Sequence, residues 1–141
     1  MKLTLNGNPF HTQGLIKAAA CIGDIYNWGE GAAIDYPRAM AAYKVGAEAG
    51  DARGQWMVGI LYFVGEGVAV DYQQARAWLE KAAAQGQPDA IGQLGFMYYK
   101  GNGVTPSLRR ARELYKRAIE LGNSRAVESM QILTKGIQNV S

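Results

Sequence analysis

The chain has one cysteine, Cys21, and one histidine, His11, in 141 residues. A single thiol excludes an internal disulfide framework and fits a reducing compartment. The same counts exclude a zinc centre built from Cys and His clusters. If both residues lie near one helix, the ten positions separating them span about 15 Å at 1.5 Å per residue, too far for a nucleophile–base pair. Cys21 is expected instead to be a small, partly buried packing residue. No apolar run reaches membrane-spanning length. The opening Met1-Lys2-Leu3-Thr4-Leu5-Asn6-Gly7-Asn8-Pro9 lacks the apolar stretch of a secretion signal. A cytoplasmic location is expected, or a periplasmic one if a leader has been trimmed away.

Charge is also sparse. Charged residues make up 19% and the formal net charge is +3, without the dense basic clusters of a nucleic-acid binder. The best basic run is Arg109, Arg110 and Arg112 with Lys116 and Arg117. Glu113 stands four residues from both Arg109 and Arg117, and Glu120 four from Lys116, so the run is read as a solvated helix face. No aromatic interleaving points to RNA. No positioned set of acid, base and nucleophile is visible, so neither catalysis nor a cofactor is expected.

Glycine, by contrast, is abundant and periodic. Gly29-Glu30-Gly31, Gly65-Glu66-Gly67 and Gly101-Asn102-Gly103 recur every 36 residues. Tyr26, Tyr62 and Tyr98 keep the same step; so do Gly23, Gly59 and Gly95, and Ala39, Ala75 and Ala111. A fixed period of this length marks a stacked repeat array, in which each unit buries its apolar face against its neighbours. These loops lack a Walker lysine and are helix connectors rather than phosphate cradles.

The middle unit shows the plan. Arg53–Val64 has apolar residues at helical spacing. The Gly65–Gly67 segment breaks it, because glycine reaches the left-handed conformation that helix ends commonly need. Asp71 is the expected N-cap of a second helix from about Tyr72 to Gln85; Asp35 and Ser107 take that place in the other units. Turns are expected at 29–35, 65–71 and 101–107. Mid-helix glycines at Gly23, Gly54, Gly59 and Gly95 cost helix propensity, so something must approach closely there, and the expected neighbour is the paired helix of the same unit. Residues 1–13 are expected to be irregular, the array to fill 14–141 with repeats at about 15–50, 51–86 and 87–122, and a capping helix to run over 123–138. The fold class is all-α, with seven helices.

The pattern Ala-x-x-x-Leu-Gly-x-x-Tyr-x-x-Gly-x-Gly-Val resembles the Sel-1-like repeat, a relative of the tetratricopeptide repeat. It is carried by Ala90, Leu94, Gly95, Tyr98, Gly101, Gly103, Val104, Ala111, Ala118 and Gly122 in the third unit. Gly59, Tyr62, Gly65, Gly67, Val68, Asp71, Ala75, Ala82, Ala83 and Gly86 carry it in the second. The first unit is looser. The resemblance implies a right-handed α-solenoid serving as a protein-interaction scaffold, with first helices lining the concave side. Family habit also admits an immunity protein that neutralises a co-produced toxin. Cysteine-rich secreted members have been linked to β-lactam binding, but the disulfide of each of their repeats is missing here.

In an array, packing positions repeat and recognition positions vary. The varying columns of the first helices include Lys17, Arg53, Asp89 and Arg125; Asp24, Ile60, Phe96 and Ile132; and Trp28, Val64, Lys100 and Gly136. The expected partner-binding residues on this face are Arg53, Trp56, Met57, Ile60, Phe63, Asp89, Phe96, Tyr99 and Lys100. Apolar residues at variable, solvent-side positions suit aromatic anchors within a charged rim; the alternative is that curvature buries some of them between helices. A monomer binding a protein or peptide is expected, with a small-ligand or peptidoglycan-fragment binder as the competing reading and an enzyme disfavoured.

Overall fold

A computed structural model describes the backbone of residues 9–140 and the side chains of 13–136. Every regular element among them is an α-helix: α1 (Pro9–Trp28), α2 (Tyr36–Glu48), α3 (Ala52–Val64), α4 (Tyr72–Ala84), α5 (Pro88–Lys100), α6 (Leu108–Glu120) and α7 (Arg125–Val140). The loops between first and second helices fall at 29–35, 65–71 and 101–107, as the sequence predicts. The boundaries differ at both ends of the chain: α7 runs over Arg125–Val140 where 123–138 is expected. α1 opens at Pro9, inside the stretch expected to be irregular, because proline suits the first helical position, where no intrahelical N–H is needed. The remainder of that stretch, residues 1–8, lies outside the described residues.

Caps explain the boundaries. The Asp35 side chain accepts from the Arg38 N–H, that of Asp71 from Gln74, and the Ser107 hydroxyl from Arg110. A second series, not foreseen, opens the first-type helices: the Asp51, Gln87 and Asn123 side chains accept from Gly54, Asp89 and Arg125. At the other end of α3, Gly65 takes a left-handed φ of 77° and its N–H reaches the Leu61 carbonyl. Gly67 is fixed twice over: its φ is 80°, and a Cβ there would stand 2.7 Å from the Tyr36 carbonyl.

The chain forms two compact units that divide within α4, one ending at Trp78 and the other beginning at Leu79. In the first, Ala39, Met40, Tyr43 and Ala47 of α2 bury against Met57, Val58 and Leu61 of α3. In the second, Ile91, Leu94 and Met97 of α5 are buried, as are Ala111, Tyr115 and Ala118 of α6 and Ala126 and Leu133 of α7. The paired-helix explanation holds for two of the mid-helix glycines. A Cβ at Gly23 would lie 2.5 Å from the Tyr43 ring, and one at Gly95 would lie 2.8 Å from the Tyr115 ring. Gly54 corrects it: its neighbour is the Ala47 backbone nitrogen at 2.9 Å, on the second helix of the preceding repeat. Here a side chain would hold α2 and α3 apart.

Tyr26, Tyr62 and Tyr98 are half-buried rather than enclosed. Each lies under a cation: Arg38 at 5.6 Å, Lys44 at 5.8 Å and Arg110 at 5.3 Å from the ring centre.

Candidate functional site

In the first unit a charged network ties three helices together. Asp24 Oδ1 on α1 accepts from the Tyr43 hydroxyl at 2.6 Å and from Arg53 Nη2 at 2.9 Å; Oδ2 accepts from the same nitrogen at 3.0 Å. Burial opposes the Arg53 charge, but the hydrogen bond and charge of Asp24, helped by Tyr43 and Asp51, hold its pKa above the ordinary value. Burial first, and then Asp24, push the Tyr43 phenol upward as well. Arg53 is therefore a positioned cation rather than a freely swinging one.

Beside this network, α1 and α3 enclose a pocket of about 290 Å³. Trp28 from the end of α1, Ile34 and Tyr36 from the following loop and α2, and Ile60 and Val64 from α3 supply apolar walls. Trp28 is 61% exposed, Ile34 56% and Val64 47%. Two polar groups join them, Asn27 and Glu66. Asn27 is only 7% exposed, and its carboxamide makes no hydrogen bond among the described residues. A second groove, about 450 Å³ and lined by Ile22, Ala42, Val45 and other apolar residues, runs between α1 and α2. Its α1 wall of Ala18, Ile22 and Tyr26 is in register with Gly54, Val58 and Tyr62, the α3 face that packs on α2.

The expected binding residues separate on inspection. Met57 is a correction: it is 4% exposed and belongs to the core with Val58 and Leu61, reaching the pocket only from within. Trp56 is half-buried against that core. Phe63 is half-buried too, its ring 5.4 Å from that of Tyr72. Ile60 lines the pocket. In the second unit, Phe96 is exposed, Tyr99 half-buried with Lys100 Nζ 5.1 Å over its ring, and Asp89 sits in the first turn of α5. There too, burial pushes the Tyr115 phenol up to about 12, and Asn102 Oδ1, in the register of Glu66, is buried without a partner among the described residues.

Sequence reasoning omitted Trp28, Asn27, Ile34, Tyr36, Val64 and Glu66 from the site. Asn27 stood in one variable column and Trp28 and Val64 in another, a signal that was available; the loop residues carried none. Cys21 is exposed, which corrects the packing role expected of it. On α6 the Arg109–Glu113 pair forms as foreseen, at 3.4 Å, and Arg110 Nη1, not foreseen, lies 3.7 Å from the same carboxylate; Arg117 donates instead to the Ala83 carbonyl. Among the described residues no group of three or more His, Cys, Asp or Glu is placed to hold a metal, and no helix is long and apolar enough to cross a membrane.

The family model for the Sel1 repeat matches residues 52–87 and 88–123, just over half of the chain. The chain belongs to the Sel1 repeat family. The structure is similar to that of a Sel1 repeat protein from Oxalobacter formigenes, with a TM-score of 0.80 and 31% identity over 89% of this chain and 51% of the other. It also resembles c5321, a protective antigen of uropathogenic Escherichia coli with an SLR fold (TM-score 0.76, 37% identity, 81% of this chain and 24% of that one). The Helicobacter pylori cysteine rich protein B shares the fold, with a TM-score of 0.66 at 21% identity over 89% of this chain and 97% of that one. The Sel1 chain thus spans about half of the first of these proteins and a quarter of the second. No curated protein matches it in sequence. Sel1 repeats generally mediate protein–protein interaction and are typically non-enzymatic scaffolds.

Proposed function

We propose that this chain is a non-enzymatic binding module that grips a protein or peptide through the outward faces of its first-type helices, α1 and α3 in one unit and α5 and α7 in the other. One observation carries the reading. Trp28, Val64, Phe96 and Ile132 are large, apolar and exposed, and all fall in columns that the repeat does not hold constant. Packing does not require them, and exposed apolar groups of this size are characteristic of contact surfaces. The contact set is Arg53, Trp56, Ile60 and Phe63 with Trp28 and Val64 in the first unit, and Asp89, Phe96, Tyr99 and Lys100 with Ile132 in the second, without Met57. The second-helix face carries Arg109 and Arg110, which share the Glu113 carboxylate.

The test is a titration of a partner recovered from the native host. Phe96→Ala and Ile60→Ala are expected to weaken binding, a central anchor costing about 2 kcal/mol or more. Arg110→Ala and Lys116→Ala are expected to leave it nearly unchanged. The reverse ranking would move the site to the second helices.

A further inference from the structure

The Asn27 carboxamide raises a physical question that the fold leaves unanswered. Polar groups shut away from water are nearly always paired within the fold, so one left unpaired must face solvent or a ligand. Asn27 is more than nine-tenths buried, and its amide is neither capping a helix nor bonded to a neighbour among the described residues. The amide is nevertheless not fully enclosed. What exposure it keeps is toward the pocket it lines. A carboxamide offers both a donor and an acceptor, which matches the paired N–H and C=O that an extended main chain presents on one edge.

The other groups restrict the occupant further. Trp28, Ile60 and Val64 form walls for an apolar side chain, and a volume of about 290 Å³ is room for a side chain with some main chain beside it. Among the described residues Glu66 is the only charged one in the lining, so a cation close to the apolar anchor is favoured and an anion disfavoured. We propose that the pocket between α1 and α3 binds an extended peptide, seating one apolar side chain against Trp28, Ile60 and Val64, pairing its main chain with the Asn27 carboxamide and setting a basic side chain beside Glu66. This deepens the partner-binding reading and rests on it. It assigns the ligand class to one pocket and gives Asn27 a role in recognition rather than in folding.

The experiment uses the full chain, isotopically labelled for NMR, and three blocked peptides: acetyl-Ala-Leu-Lys-Ala-amide, the same with Glu for Lys, and the same with Ser for Leu. The first is expected to move the Asn27 carboxamide and Trp28 indole N–H signals saturably at millimolar concentration. The Glu peptide is expected to bind about threefold more weakly, and Glu66→Gln to remove that preference; the Ser peptide is expected to bind more weakly still. Asn27→Leu, which keeps the number of side-chain heavy atoms but removes the donor and the acceptor, is expected to weaken the first peptide about tenfold while leaving the melting temperature equal or higher. A peptide that binds the Asn27→Leu chain as well as the parent, a melting temperature lowered by Asn27→Leu, or no shift at Asn27 and Trp28 would each overturn the proposal. Shifts confined to Trp56, Phe63, Phe96 and Tyr99 would overturn the pocket and leave the wider reading standing. If no first-helix signal moves and the recovered partner ignores the first-helix substitutions, both fall.

Discussion

A methyl group added at Gly23 would meet the Tyr43 ring at 2.5 Å, and that ring cannot turn aside. It is fully buried, and its hydroxyl is held by Asp24 at 2.6 Å. Gly23→Ala is therefore expected to destabilise by about 1–3 kcal/mol, the usual cost of overpacking, read by urea denaturation. Gly14→Ala is the control, since nothing lies within 4 Å of a Cβ there; equal midpoints for the two variants would refute the close approach. The buried tyrosines also set an upper pH limit. Burial raises the Tyr115 phenol from 10.0 to about 12, so between those values the folded chain holds a proton that the unfolded chain has lost. The stability this provides is complete below about pH 10 and disappears as pH rises through about 12. Tyr115→Phe is expected to lose a smaller share of its neutral-pH stability across that window, with Tyr43 still contributing in both chains. Identical pH profiles would exclude the assignment.

Each helix boundary is set by a few atoms, which is why the sequence reported them well. Asp71 caps α4 through the Gln74 N–H at 3.0 Å. Asp71→Ala is expected to cost about 1 kcal/mol and Asp71→Asn much less, measured by thermal or urea denaturation; an alanine variant as stable as the asparagine one would show that the cap contributes nothing. α3 shows where such reading fails. Trp56, Met57, Val58, Ile60, Leu61, Phe63 and Val64 surround most of its circumference. A helix without a polar face gives periodicity no direction in which to point. Met57 and Ile60 look alike in sequence, yet one is core and the other lines a pocket. α6, with its Arg- and Glu-rich side opposite Ala111, Tyr115 and Ala118, carried no such ambiguity, and its exposed basic face was read correctly.

For the molecule as a whole, binding and stability should separate. Trp28, 61% exposed, belongs to no core, so Trp28→Ala is expected to weaken partner binding about tenfold or more while moving the melting temperature little. Met57→Ala is expected to do the opposite, costing about 2–5 kcal/mol of stability through the cavity it leaves. Calorimetric titration paired with thermal melts on these two variants reads both quantities. Comparable affinity loss in both, after correction for the folded fraction, would mean that core and binding surface are not distinct.

The 36-residue period, the glycine-bounded loops and the Asp and Ser caps were determined by the sequence alone, because each rests on contacts within a few residues or on a packing demand that every repeat restates. The Sel1 repeat family followed from the same signals. Tertiary structure decided the rest. Gly54 faces the preceding repeat rather than its own partner helix, since register along the chain cannot say which of two neighbouring helices comes closer. Met57 turned inward while Trp28, Ile34 and Val64 converged from two helices and a loop on the unpaired amide of Asn27. That pocket has no counterpart in any local pattern: its walls come from separate elements, brought together by the packing of α1 and α3 on α2 and by the Arg53–Asp24 bridge.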